Sequence, residues 1–302
     1  MTLSTTSIKY LDDRGILPDY QDYFWDRNQQ QASLESGKVL HCGGFAPRPE
    51  LLIAGSSIQL HPETPYVGAN GKPQKWVTPV GDTSGFSGFD AISDEYVIIT
   101  EGIVKSLSVH QLGYNALSLN GVDNWSAPRE GKDEPRTIKP GLLRHIPPTV
   151  YLAFDMDWHR NENVLRALKS FAEALTLAGR QVHVMTWDPE LKGLDDYLAG
   201  LDLDSRCISV AQMLESAPEF NQFLINLEKA ETQDMVELPK DMDPDEFFEM
   251  KMLEEFRHKL VIPLDQQKVN RPTVFMWNAA KFSFEGIDIV GHLSARSKTF
   301  LA

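Results

Sequence analysis

Cysteine is scarce in this chain. Cys42 and Cys207 are the only two in 302 residues, and they lie far apart. That excludes a disulfide framework and a zinc ribbon of paired cysteines, and it fits a reducing cytoplasm. Positive charge is also short: 29 Lys and Arg stand against 43 Asp and Glu, for a net charge of −14. A protein that coats nucleic acid without specificity needs clustered Lys and Arg to neutralise phosphates. That class is excluded, whereas an enzyme with a local basic patch, or one part of a larger assembly, is not. No apolar run approaches the roughly 18 residues of a membrane span. The first residues, Met-Thr-Leu-Ser-Thr-Thr-Ser, have neither the basic start nor the apolar core of a signal peptide. A cytoplasmic protein with no membrane partner is expected.

The chain is long enough for two domains. Residues 1 to 35 read as polar helix, anchored by Tyr10, Leu11, Ile16, Tyr20, Tyr23, Phe24 and Trp25. Residues 38 to 90 carry many Gly and Pro with short β-like pieces, which predicts a small β-rich or mixed subdomain. Within it, Gly81 to Gly88 reads as a flexible connector, because it lacks the Lys-Ser/Thr of a phosphate-binding loop.

From 95 to 200 the pattern alternates. Strands are predicted at 96–100, 116–119, 149–154 and 181–187, with helices at about 103–112 and 161–178, stopped by Gly113 and Gly179. This rhythm predicts an α/β fold with a parallel sheet flanked by helices. The expected organisation is a mixed α/β subdomain over 1–94, a catalytic domain over 95–203, an acidic helical region over 204–262 and a tail over 263–302.

Two strands end in acid. Val97-Ile98-Ile99-Thr100 runs into Glu101-Gly102, and Val150-Tyr151-Leu152-Ala153-Phe154 runs into Asp155-Met156-Asp157. Short runs rich in β-branched and aromatic residues suit strands buried on both faces. Ligands of such sheets sit beyond the carboxyl ends of the strands. Glu101, Asp155 and Asp157 are therefore expected to converge on one edge. Carboxylates so placed require a cation, most simply Mg²⁺ or Mn²⁺, which points to phosphoryl or nucleotidyl chemistry. Taken singly, each acid has a plainer use: Glu101 suits the first turn of a helix, and Asp155-x-Asp157 a capped turn. A third acidic group, Asp195-Asp196 in Lys192-Gly193-Leu194-Asp195-Asp196, follows the next strand and favours the functional use.

Together these motifs resemble the Toprim domain of bacterial primases, topoisomerases and related nucleases. The segments VIITEGIVKSLSVHQLGYNALSLNGVDNW, VYLAFDMDWHRNENVLRALKSFAEALTLAGRQVHVMTW and KGLDDYLA, with HPETPYVGANGKPQKWVTPVG upstream, resemble more closely a Toprim-like domain. It is the one found in plasmid and phage replication proteins, cyanobacterial plasmid proteins among them, where it often precedes a helicase. The resemblance covers residues from about 8 to 200. It implies a DNA primase-like nucleotidyltransferase that makes primers on single-stranded DNA from NTPs, with a replicative helicase as partner. Glu101, Asp155 and Asp157 are the implied catalytic residues, and these three with Asp195 and Asp196 the implied metal ligands. Lys105 takes the place where related sequences carry a basic residue. Lys105, Arg160 and Lys192 are the expected contacts to nucleotide phosphate. The sequence departs from the family in following Asp157 with Trp158-His159-Arg160 and in lacking a zinc ribbon. A Toprim nuclease or a non-catalytic loader remains an alternative reading. A phosphatase of the haloacid dehalogenase type is disfavoured, because its Asp-x-Asp should lie near the N-terminus and lead into Gly-Thr.

The loop bearing Arg129, Lys132, Arg136, Lys139 and Arg144 is the densest basic stretch and reads first as a solvated loop. His41, Cys42 and His61 match no standard zinc spacing. The end of the chain, GIDIVGHLSARSKTFLA, resembles the opening of a RecA-like ATPase, but His292 and Ser297 replace its glycines before Lys298. No working phosphate loop is expected there.

Overall fold

The computed structural model describes residues 3–27, 43–48, 58–68, 71–78, 85–129, 131, 134–233, 277–278 and 283–284. The chain divides into two units, Met1–Glu228 and Lys229–Ala302. Of the second, the described part is the end of a helix and two short strands, Trp277–Asn278 and Ser283–Phe284, paired antiparallel.

The first unit opens with helices α1 (Thr5–Asp12) and α2 (Pro18–Gln21) and strands β1 (Phe24–Arg27), β2 (Gly44–Pro47), β3 (His61–Pro62), β4 (Tyr66–Val67) and β5 (Pro73–Gln74). Ser4 caps α1 by accepting a hydrogen bond from the Ser7 amide, and Pro18 begins α2, where its missing N–H costs nothing. Strands β1, β2 and β3 form a small antiparallel sheet. Phe24 to Arg27, expected in a helix, is thus a strand. Its partner β2 lies seventeen or more residues onward, and pairing at that range leaves no local periodicity to read.

The main sheet follows. It has strands β6 (Phe86–Gly88), β7 (Tyr96–Glu101), β8 (Ala116–Leu119), β9 (Thr149–Ala153) and β10 (Gln181–Val184), in the order β10-β9-β7-β8-β6. Pairs β10–β9, β9–β7 and β7–β8 are parallel, as the alternating pattern predicts. Strand β6 pairs antiparallel with β8 at one edge, so part of the presumed Gly81–Gly88 connector is sheet.

Helices α3 (Ile103–His110), α4 (Pro140–Leu143), α5 (Glu162–Leu177), α6 (Leu194–Ala199), α7 (Leu203–Ser216) and α8 (Phe220–Gln233) cover the sheet. On one face Val97, Ile99, Val150, Leu152, Val182 and Val184 pack with Leu168, Phe171 and Leu175 of α5 and Phe220 and Phe223 of α8. On the other face Ile98, Ala116 and Ala153 meet Val109 of α3, Leu194 and Leu198 of α6, and Val210 and Met213 of α7. Burial on both faces is what the unbroken apolar strands require.

A third core joins the amino-terminal layer to the sheet through α3. Its Ile103, Val104 and Leu107 pack against Leu11, Ile16, Phe24, Phe45 and Phe89. Gln111 locks this junction: its Nε2 donates to the Gly15 carbonyl at 2.9 Å, and its Oε1 accepts from the Leu17 amide at 2.9 Å. Arg206 Nη1 donates to the same Gly15 carbonyl at 2.6 Å. Among the described residues no helix is long and apolar enough to cross a membrane.

Phe171 is fully buried, stacked on Trp125 at a centroid distance of 5.0 Å and on Phe154 at 6.4 Å. Phe171→Ala is expected to lower unfolding free energy by about 3–5 kcal/mol through lost contacts and the cavity left behind. Urea unfolding followed by circular dichroism would measure it.

Candidate active site

Glu101 is the last residue of β7, and Asp155 follows β9 by two positions. Because β7 and β9 are adjacent and parallel, both acids emerge on the carboxyl edge of the sheet. The Asp155 amide donates to Glu101 Oε1 at 3.2 Å. Asp157 lies one step further on, in a 3₁₀ turn over Met156–His159. The Met156 amide donates to the Lys192 carbonyl at 2.9 Å, which ties this turn to the loop before α6. That loop delivers Lys192, and the first turn of α6 delivers Asp195 and Asp196.

Two glycines make the convergence possible. Gly102 joins β7 to α3 with φ +115°, a region closed to L side chains, and so turns the chain sharply behind Glu101. A β-carbon at Gly193 would stand 2.5 Å from Asp195 Oδ1, 3.1 Å from Asp196 Oδ2 and 3.2 Å from Lys105 Cε. These side chains therefore close in over a bare backbone.

Basic side chains offset part of the cluster's charge. Lys105, in the first turn of α3, forms an ion pair with Asp155. Lys192 Nζ lies 2.7 Å from Asp157 and 3.6 Å from Asp155. Arg14 Nε lies 3.4 Å from Asp195, while its guanidinium covers the Tyr10 ring at 3.8 Å. Among the described residues no three His, Cys, Asp or Glu side chains come together as a ready metal cage. Two buried carboxylate atoms, Asp157 Oδ1 and Asp195 Oδ1, nonetheless have no hydrogen-bond partner among them. Such atoms are costly unless a cation or donor satisfies them, so the donor set suits a hard divalent ion.

Electrostatics follow the packing. Burial, then the neighbouring Asp155, pushes the Glu101 carboxyl up to about 7. Burial likewise raises Asp195, against the pull of Lys105. Burial works against the Lys105 ammonium, yet Asp155 and Asp195 outweigh it and hold its pKa above the ordinary lysine value. The hydrogen bond to Asp157 raises Lys192.

These residues line a cleft of about 470 Å³. Glu101, Lys105, Asp155, Lys192, Asp195 and Asp196 form one wall; Tyr10, Arg14, Gln59, Lys75 and Trp76 of the amino-terminal layer form the other. Behind that layer His61 packs among Tyr10, Phe45 and Trp76. Burial, and then Arg14, lowers its pKa to about 4.

Arg160 is placed apart: it is exposed, and pairs with Glu190 at 3.4 Å. Arg136, in the basic loop, pairs with Asp123 at 2.5 Å and covers the Trp125 ring at 4.5 Å. Lys132, His41, Cys42, His292, Ser297 and Lys298 lie outside the described residues. Arg14 went unnoticed in the sequence. The one available signal was its spacing of four from Tyr10, which puts both on one face of a helical turn.

The fold is primase-like. The structure is similar to the Aquifex aeolicus primase, in a crystal structure of its zinc-binding and RNA polymerase domains, with a TM-score of 0.53 and 13% identity. The match covers 88% of this chain and 70% of that one. The primase fragment of the bacteriophage T7 primase-helicase matches with a TM-score of 0.36 and 15% identity, over 61% of this chain and 70% of that one. More particularly, residues 91–202 match a family described as a domain of unknown function, DUF3854. An uncharacterized protein of Picosynechococcus sp. (strain PCC 7002) is 30% identical over 115 residues, 34% of this chain. That match spans only 11% of the relative's length.

A carboxyl whose folded pKa, about 7, exceeds its usual 4.5 favours the folded state below pH 4.5 and loses that contribution as pH rises toward 7. Metal-free Glu101→Gln should match the parent at pH 4.5 and be more stable at pH 8.5, by on the order of 2 kcal/mol. Urea unfolding in chelator at the two pH values would test this. Equal stability at pH 8.5 would show that Glu101 is not desolvated.

Proposed function

We propose that this chain carries the Toprim-type catalytic portion of a primase-like replication protein. The reaction is nucleotidyl transfer: a 3′-hydroxyl attacks the α-phosphate of an incoming NTP on a single-stranded DNA template, and pyrophosphate leaves. The observation that carries this reading is the meeting of Glu101, Asp155 and Asp157 at the carboxyl edge of adjacent parallel strands. Glu101 and Asp155 line a cleft whose far wall is basic and aromatic.

Asp155 and Asp157 would hold Mg²⁺ or Mn²⁺, with Asp195 and Asp196 completing the acidic surround; the ion would stabilise charge developing on phosphate oxygens. Glu101, raised to about 7 in the metal-free protein, would complete the metal site or accept the hydroxyl proton. Lys192 is largely exposed on its loop, so it can leave Asp157 and bind a nucleotide phosphate. Across the cleft Arg14 and Lys75 offer positive charge to a nucleic acid backbone, and Trp76 offers a ring for a base. These local contacts make template binding compatible with an acidic chain. A replicative helicase is the partner that such an activity requires to expose single strands.

The test is primer synthesis by the full chain with NTPs, a single-stranded DNA template and Mg²⁺ or Mn²⁺. Asp155→Asn and Asp157→Asn should each reduce product by about a hundredfold or more, because each removes charge that acts in the transition state. Full activity in both variants would reject the site. Cleavage of nicked or linear DNA without synthesis would replace this reading by a nuclease that uses the same acids.

A further inference from the structure

The acid cluster contains two lysines that are held very differently, and the contrast carries an inference resting on the metal-dependent reading above. Lys105 stands in the first turn of α3, between Val104 and Ser106, both buried. Its side chain is 18% exposed and Asp155 is 10% exposed, so their ion pair is shut off from solvent. Its Cε lies over Gly193, beside Asp195 Oδ1 and Asp196 Oδ2. Lys105 therefore stands between acids delivered by two separate loops. Because α3 is clamped between the sheet and the amino-terminal layer, the base of that side chain is fixed. Lys192 sits on a loop, 60% exposed, and touches only the Asp155–Asp157 side.

We propose that Lys105 is a built-in cation filling the place of a second metal ion, so that the site takes a single divalent ion on the Glu101–Asp155–Asp157 side, where Lys192 now lies. Charge balance supports this. Five carboxylates (Glu101, Asp155, Asp157, Asp195 and Asp196) face four cationic side chains, Lys105, Lys192 and Arg14 against the acids and Lys75 on the far wall. The formal excess of one negative charge is overshot by one with a single divalent ion and by three with two. Geometry agrees. Asp157 Oδ1 is buried without a partner on the side that Lys192 guards, and so is a free ligand atom. On the other side Asp195 Oδ1 also lacks a hydrogen-bond partner, but Asp195 Oδ2 is held by Arg14 at 3.4 Å and the carboxylate lies within the field of Lys105. A second metal ion there would be pressed against a mostly buried ammonium, a like-charge contact that such a setting makes expensive.

The experiment is a titration of the full chain with Mn²⁺ alone, with free Mn²⁺ read by electron paramagnetic resonance. The parent should bind one ion. Lys192→Ala should bind one ion about tenfold more tightly, because a competing charge is gone. Asp157→Asn should weaken binding about tenfold or more, while Asp195→Asn should keep one ion with affinity within about twofold. Lys105→Met should bind two ions. Circular dichroism would show whether it folds; if it does not, the parent and the Asp157 and Asp195 variants still decide the matter. Two ions in the parent, or an Asp195→Asn loss as large as that of Asp157→Asn, would overturn the inference. Two ions in a parent that makes primers would leave the nucleotidyl transfer reading standing. No Mn²⁺ binding at all, with no primer synthesis, would remove both.

Discussion

The ion pair between Lys105 and Asp155 is the contact on which the arrangement of the cleft depends. Parallel strands bring their carboxyl ends to one edge, and here both adjacent ends are acidic. Unscreened, those acids would repel one another and protonate or splay apart. The ammonium on α3 relieves this at Asp155, while Glu101 stays raised, and it fastens the turn after β9 to the helix after β7. Such a pair contributes little net stability, since both charges lose their water, but removing one partner strands the other at a cost of about 3–5 kcal/mol. Its value lies in position: it fixes where the acids point.

The amino-terminal layer is coupled to this edge by packing rather than by the chain alone. Helix α3 is shared between two cores, so anything that moves the layer moves the helix bearing Lys105. Gln111 and Arg206 converge on the single carbonyl of Gly15, just beyond the end of α1. Arg14, next along the chain, is held between the Tyr10 ring and Asp195. The far wall of the cleft is thus indexed to the acidic wall by polar contacts at both ends of a short segment. That is a rigid way to set the width of a cleft.

How much of this was legible in the sequence depended on range. The strands β7, β8, β9 and β10 and the helices α3 and α5 announce themselves by local pattern, and the acids follow from where those strands end. Residues that act through distant partners did not. Phe24 to Arg27 has aromatic residues compatible with either helix or strand, and only β2 decides between them. Phe86 to Gly88 is too short for any period, and its strand character comes from β8. Lys105 and Lys192 stand out as basic residues beside acids, which suggests phosphate ligands. Their pairing with Asp155 and Asp157 appears only when three separate loops are brought together. Arg14 is invisible for the same reason, being 181 residues from Asp195.

Gly102 has a consequence of another kind. A β-carbon there would meet nothing within 4 Å, so crowding does not demand glycine. What demands it is the backbone itself: at φ +115° and ψ +147° the chain runs through a region that residues with a β-carbon leave nearly empty. The junction between Glu101 and α3 is built for a residue with no side chain at all. Every other genetically encoded residue must distort the turn, however open the space around it. The acid edge of this protein therefore rests on one achiral residue, a requirement that evolution can meet in only one way.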